Sequence, residues 1–234
     1  MGHCLHPKFL ADQLEQSLSR LNLETLDVFY LQNAYESQAP YNLDNVIFDR
    51  LIQAFEFLES MVQKGKIRSY GLATYSCFRA KPTESKVHLS LEKVVRLAEQ
   101  VGGKDHHMRY MQVPINVLMP EAFVEPWQRV EDEGKVVRNK IFLPACADFG
   151  INVIGTQPLL QGLLSSMPLS RAHMNVFNIP ARHLQLMRSI PGRSLKSTMV
   201  GMKQVENVRG NLEVVKKPLM TREEFFDTLK PHRR

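Results

Sequence analysis

Short runs of β-prone residues begin near positions 26, 66, 110, 151 and 197, so one strand recurs about every 40–46 residues. Between them lie stretches whose apolar residues return at helical spacing. Ile47, Leu51, Ala54/Phe55, Leu58 and Met61/Val62 share one face, and Leu91, Val94, Val95, Ala98 and Val101 share another. Strands alternating with helices at this interval argue for a parallel sheet wrapped by helices. They exclude a solenoid of short repeats. Closing such units into a (β/α)8 TIM-type barrel takes eight of them, typically about 250 residues. Five complete units and one leading helix are legible here, so the expected fold is an incomplete barrel of about five of eight units. Residues 1–234 would form one domain without an internal linker and without the first strands.

The pattern also sets boundaries. A helix is expected over Phe9–Leu21, with Pro7 near its first turn, then a strand over Val28–Asn33. Asn42 or Asp44 is expected to cap the second helix, and Ser90 the third. Strands over Ile67–Thr74, Tyr110–Ile115 and Ile151–Thr156 follow, with a helix over Lys135–Phe149 before the last of these. A short helix over Pro180–Ser189 leads to a final strand, Ser197–Val200. Gly201 breaks that strand, and from Gln204 the helical period resumes with Val205, Val208 and Leu212 on one face. The segments Ala80–His88 and Pro120–Gly134 read as insertions in strand-to-helix loops. Val28–Leu31, Tyr110–Ile115 and Ile151–Ile154 read as apolar on both faces, as strands inside a covered sheet are.

Several function classes drop out. No apolar run approaches the roughly 18–20 residues of a membrane span. The three cysteines are scattered and odd in number, which points to free thiols in a reducing, cytoplasmic setting rather than a disulfide framework. The formal charge of +6 suits an anionic ligand, but no basic stripe with interleaved aromatics marks nucleic-acid binding. His3, Cys4 and His6 have metal-ligand chemistry but no partner pair, so no metal site is expected. His106 and His107 read as a solvated loop. The strand–Gly201–helix joint gathers backbone N–H groups at a helix start, a geometry suited to a phosphate, although most such joints are plain turns that bind nothing. Lys203, Gln204, Asn207, Arg209 and Asn211 add donors around it.

Ile190-Pro-Gly followed by Gly201-Met-Lys-Gln…Glu-Asn resembles the last strand–helix unit of the aldo-keto reductases. Ser17-Leu-Ser-Arg-Leu…Leu26-Asp-Val-Phe-Tyr-Leu, Gly65-Lys-Ile-Arg-Ser-Tyr-Gly-Leu-Ala-Thr, Gln112-Val-Pro-Ile-Asn116 and Phe149–Leu164 are similar to earlier units. In this order they resemble the family's C-terminal part, its fourth to eighth units, across almost the whole chain. The resemblance implies NADPH as cofactor and carbonyl reduction by hydride transfer as the family reaction. It implies cofactor contacts at Thr74, Gln112, Gln157, Leu159, Gln161, Gly162, Gly201, Lys203, Gln204, Asn207 and Asn211. Gly210 replaces a family glutamate, and Thr156 stands where many members stack a tyrosine.

For catalysis the resemblance implies a tyrosine acid tuned by lysine and aspartate, and a carbonyl-orienting histidine. Gln32 stands at the histidine position, and an amide cannot exchange a proton near neutral pH. Tyr35, three residues on, reads as a packing residue. The expected function is therefore a reductase-like chain lacking its catalytic set. The alternative is a non-catalytic, nucleotide-sensing or protein-binding relative. Expected partners are a nicotinamide nucleotide and a polypeptide that completes the barrel.

Overall fold

A computed structural model describes residues 4–131, 137–167, 169 and 178–230. His3, part of the expected Lys135–Phe149 helix and the basic tail from His232 lie outside the described residues. In chain order the elements are α1 (Pro7–Leu21), β1 (Leu26–Gln32), α2 (Asp44–Gln63), β2 (Ile67–Ala73), α3 (Leu91–Gly102), β3 (Met108–Pro114), α4 (Glu121–Val124), β4 (Gln128–Glu131) and β5 (Val137–Lys140). Then come α5 (Phe142–Asp148), β6 (Asn152–Thr156), a 3-10 turn (Leu160–Ser166), α6 (Ile179–Arg188) and β7 (Leu195–Thr198). The chain continues through α7 (Val205–Leu212), a second 3-10 turn (Glu213–Lys216) and α8 (Arg222–Leu229).

Five strands form one sheet in the order β1-β2-β3-β6-β7, and every pair is parallel. Each strand thus lies beside its predecessor in the sheet, the winding expected of a barrel relative rather than of an open sheet that reverses direction. Among the described residues no strand lies on the outer edge of β1 or β7.

The register places Leu31, Leu72, Met111 and Val153 in one row, all buried. This face lies under the helices: Tyr70, two residues before Leu72, packs its ring against Phe55 of α2, tilted by 48° with the centroids 5.3 Å apart. The α2 positions at helical spacing (Ile47, Leu51, Ala54, Phe55 and Leu58) are all fully buried. Each such large side chain contributes roughly 1.5–3 kcal/mol of burial. Gly71 is required where β3 crowds β2 at a register shift, because a Cβ there would sit 2.0 Å from the Tyr110 carbonyl oxygen.

The opposite face differs from the expectation of strands apolar on both sides. Its rows are Tyr30–Gly71–Tyr110–Asn152 and Gln32–Ala73–Gln112–Ile154–Ser197. Hydroxyls and amides dominate them, and most of these residues are partly or fully exposed. Partial burial and the neighbouring Tyr110 push the Tyr30 phenol up to about 12.

Four local expectations need correction. Neither Asn42 nor Asp44 caps α2; Leu43 holds the N-cap position with no side-chain bond. Val137–Lys140 pairs antiparallel with β4, and the helix begins only at Phe142. There Gln128 faces inward and its Oε1 accepts the Leu91 N–H at 2.8 Å, tying the hairpin to the start of α3 beside the Ser90 cap. The apolar face of α7 points to water, with Val205 57% and Leu212 49% exposed, while Asn211 is buried. His106 and His107 are no solvated loop: His106 is buried, and His107 bonds the Glu59 carboxylate through its backbone N–H and Nδ1, both at 2.7 Å.

Candidate functional site

Ligands of parallel α/β sheets bind beyond the carboxyl ends of the strands. Here the loops following β6 and β7 enclose a cleft of about 410 Å³ at that end. One wall is Gln157–Gly162 with Ser165. The other is Met199–Gly201 with Asn207 and Asn211 of α7. The first wall folds sharply because Gln157, Leu160, Gln161 and Gly162 all take positive φ, and the Gly162 N–H returns to the Leu159 carbonyl at 2.9 Å. Asn116, fully buried, fixes its root: Nδ2 donates to the Gln157 carbonyl at 2.9 Å while Oδ1 accepts the Leu118 N–H at 2.9 Å. Beneath the cleft Leu159 and Val200 pack against Ala181, Leu184 and Val214.

Seven of the positions expected from the resemblance meet in this cleft: Gln157, Leu159, Gln161, Gly162, Gly201, Asn207 and Asn211. Lys203 and Gln204 do not line it; both are exposed just beyond its rim, at the start of α7. The donor set suits a phosphate-bearing nucleotide. Gly162 and Gly201 leave open space where a Cβ would stand. The Gln157 side-chain oxygen, an acceptor and so no partner for a phosphate, is buried without a hydrogen bond. Gln204, at the N-cap of α7, makes no capping bond, so no side chain claims the first N–H groups of that helix.

Thr74 and Gln112 lie together at the carboxyl ends of β2 and β3, where the Thr74 N–H donates to the Gln112 carbonyl at 2.8 Å. The Gln112 amide Nε2 reaches across β6 to Met199 Sδ on the cleft wall. Gln32 stands apart: it is exposed and borders a groove between α1 and β1 rather than the cleft. Tyr35 is buried, stacks on Phe48 and donates its hydroxyl to Asp44 Oδ1 at 2.8 Å. Burial and that carboxylate drive its pKa well above the ordinary phenol value, which disqualifies it as a proton donor near neutrality.

One carboxylate was not singled out by any sequence pattern. Glu36, after β1, accepts the backbone N–H groups of Tyr75, Ser76 and Cys77 at 2.6, 3.2 and 3.1 Å, and the Cys77 thiol at 2.7 Å. Burial and Glu36 push that thiol far up, so Cys77 is an inert packing group. Arg79 forks onto both Glu121 oxygens at 3.0 Å. Glu36, Arg79 and Glu121 lock together the loops after β1, β2 and β3. Only a motif linking loops some 40 residues apart would have revealed them, and none exists.

The aldo/keto reductase family model matches residues 1–95. No curated protein matches the chain. Among solved structures, a putative 2,5-diketo-D-gluconic acid reductase B is similar at TM-score 0.63 and 14% identity, over 96% of this chain and 63% of that one. The holo form of aldo-keto reductase AKR11C1 from Bacillus halodurans has TM-score 0.61 and 17% identity, over 97% of this chain and 66% of that one. An aldo/keto reductase from Klebsiella pneumoniae in complex with NADP and acetate has TM-score 0.62 and 18% identity, over 96% of this chain and 66% of that one.

What they share with this chain is the fold. The chain spans 63–66% of the length of these reductases. The family match corrects the expectation of a resemblance to the C-terminal, fourth-to-eighth units across nearly the whole chain. It falls on residues 1–95, the N-terminal part, and stops before Gln112–Asn116, Phe149–Leu164 and the Gly201 turn. Those later likenesses are short glycine-punctuated joints between strands and helices, a pattern that any parallel β/α chain needs for its turns. Among the described residues no helix is long and apolar enough to cross a membrane.

Proposed function

We propose that the cleft between Gln157–Ser165 and Met199–Asn211 binds the phosphate-bearing part of NADPH. In this reading the chain serves nucleotide binding rather than carbonyl reduction. The observation that carries it is the convergence on one cleft of amide side chains from two loops some 40 residues apart, Gln157 and Gln161 on one side and Asn207 and Asn211 on the other. Amide donors from Gln157, Gln161, Asn207 and Asn211 and the open helix start would hold the pyrophosphate, and Lys203 would reach a 2′-phosphate from the rim. NADPH would supply a hydride. This chain's own part is to bind and orient the nucleotide, with Thr74 and Gln112 offered to the nicotinamide amide. A Klebsiella pneumoniae reductase of the same fold has been solved with NADPH, which favours this ligand over other anions. Gln32 cannot exchange a proton and Tyr35 is sealed against Asp44, so neither supplies the acid.

Calorimetric titration tests this. NADPH should bind more tightly than NADH, and salt and Lys203→Ala should each weaken NADPH while leaving NADH nearly unchanged. Equal affinity for both nucleotides, unmoved by the substitution, would mean the joint is only a turn.

A second reading rests on the outer edges of β1 and β7, which carry no partner strand among the described residues. Further polypeptide, covalently continuous or from a partner, would pair with these edges and cover the open face, completing a barrel.

A further inference from the structure

We propose that the Met199 thioether, on the cleft wall, is a site of reversible oxidation controlling Gln112. This rests on the nucleotide reading of the cleft for its consequence, though not for its chemistry. Met199 is 54% exposed, lines the cleft, and holds the Gln112 side-chain amide through its sulfur. Its backbone is fixed, because the Met199 N–H donates to the Gly155 carbonyl at 2.8 Å and so continues the β6–β7 ladder. The side chain therefore has one anchored end and a sulfur that crosses β6 to β3.

A thioether is a weak acceptor, so the Gln112 amide leaves it readily for a better partner. Attack of the sulfur lone pair on hydrogen peroxide forms an S–O bond and breaks the O–O bond, giving methionine sulfoxide and water. The sulfoxide oxygen is a strong, polar acceptor on the same anchored side chain. It would hold the Gln112 Nε2 protons firmly and keep that amide from a ligand. A dithiol reductant reverses the step, taking the oxygen away as water and leaving a disulfide in the reductant. Met108, Met111 and Met187 are buried and shielded from this chemistry, whereas Met167 and Met202 are exposed and need a control.

The experiment treats wild type and Met199→Leu with dilute hydrogen peroxide and records two readouts. The first is the Gln112 side-chain NH2 signal in 15N-resolved NMR, assigned by its absence in Gln112→Leu. The second is NADPH affinity. Oxidised wild type should show a shifted Gln112 signal and about five- to tenfold weaker NADPH binding, the scale of one neutral hydrogen bond. Methionine sulfoxide reductase should restore both, and Met199→Leu should show neither change on oxidation. A Gln112 signal that stays put in oxidised wild type overturns the proposal, as does equal peroxide sensitivity in Met199→Leu. If the signal moves but no form binds NADPH, the switch stands and the nucleotide reading of the cleft fails.

Discussion

Replacing Glu59 by alanine should destabilise the fold more than a substitution far from the cleft would ordinarily do. Glu59 lies on the sheet side of α2, 8% exposed, and its carboxylate accepts three hydrogen bonds. Oε1 takes the Tyr70 hydroxyl at 3.0 Å and the His107 N–H at 2.7 Å, and Oε2 takes His107 Nδ1 at 2.7 Å. Alanine would strand the Tyr70 hydroxyl, whose residue is 0% exposed, and the His107 N–H without an acceptor. Each buried polar group left unpaired costs about 1–3 kcal/mol. With the lost charge-assisted bonds, the whole substitution should cost about 3–5 kcal/mol. For a domain of this size that is a fall in melting temperature of roughly 6–20 °C. Urea denaturation followed by circular dichroism measures it. Glu59→Gln keeps an acceptor and should lose less than half as much, and a double-mutant cycle with Tyr70→Phe should return a coupling of at least about 0.5 kcal/mol. A loss below about 1 kcal/mol for Glu59→Ala, or strict additivity with Tyr70→Phe, would refute the argument.

Three other outcomes are expected. Burial lowers the pKa of His88, His106 and His183 in the folded chain, so below the unfolded histidine value near about 6.5 the unfolded state binds protons that the native state refuses. Stability should accordingly fall as pH drops from 7 to 5, and a melting temperature flat over that range contradicts this. NADPH absorbance should stay constant with a panel of aldehydes, and steady turnover abolished by Tyr35→Phe would assign that tyrosine the role of acid instead. Light scattering of the chain alone should show concentration-dependent association through the open sheet edges, whereas a cooperatively melting monomer would remove the need for a completing polypeptide.

The parallel β/α alternation was legible because buried strands and amphipathic helices impose their own periods; α2 and α3 fall where those periods put them, within a residue or two at the ends. The β4–β5 hairpin was not, since Val137–Lys140 is a polar four-residue strand that reads as the start of a helix. Nor was the reversed α7, whose apolar positions promise burial that Asn211 takes instead. Side-chain chemistry joining distant loops leaves no periodic trace, so Glu36 on the Tyr75–Cys77 N–H groups and Glu59 on His107 were invisible. The Gly201–Asn211 wall of the cleft was legible as a strand–glycine–helix joint, but the Gln157–Gly162 wall was found only through resemblance: glycine turns and amides look alike in sequence whether or not they converge. Asn116 illustrates the ambiguity, as one side chain fit either for ligand or for packing, and its two bonds show it bracing the Gln157 loop.

The central claim is that Gln157–Gly162 and Gly201–Asn211 form one nucleotide site. Backbone amide mapping by NMR during titration with NADPH tests it most directly. Gln157, Gln161, Gly162, Gly201, Lys203, Asn207 and Asn211 should shift together along a single saturating curve, with α1 and α3 unmoved. No shift at millimolar NADPH, or shifts confined to residues outside these two loops, would contradict it.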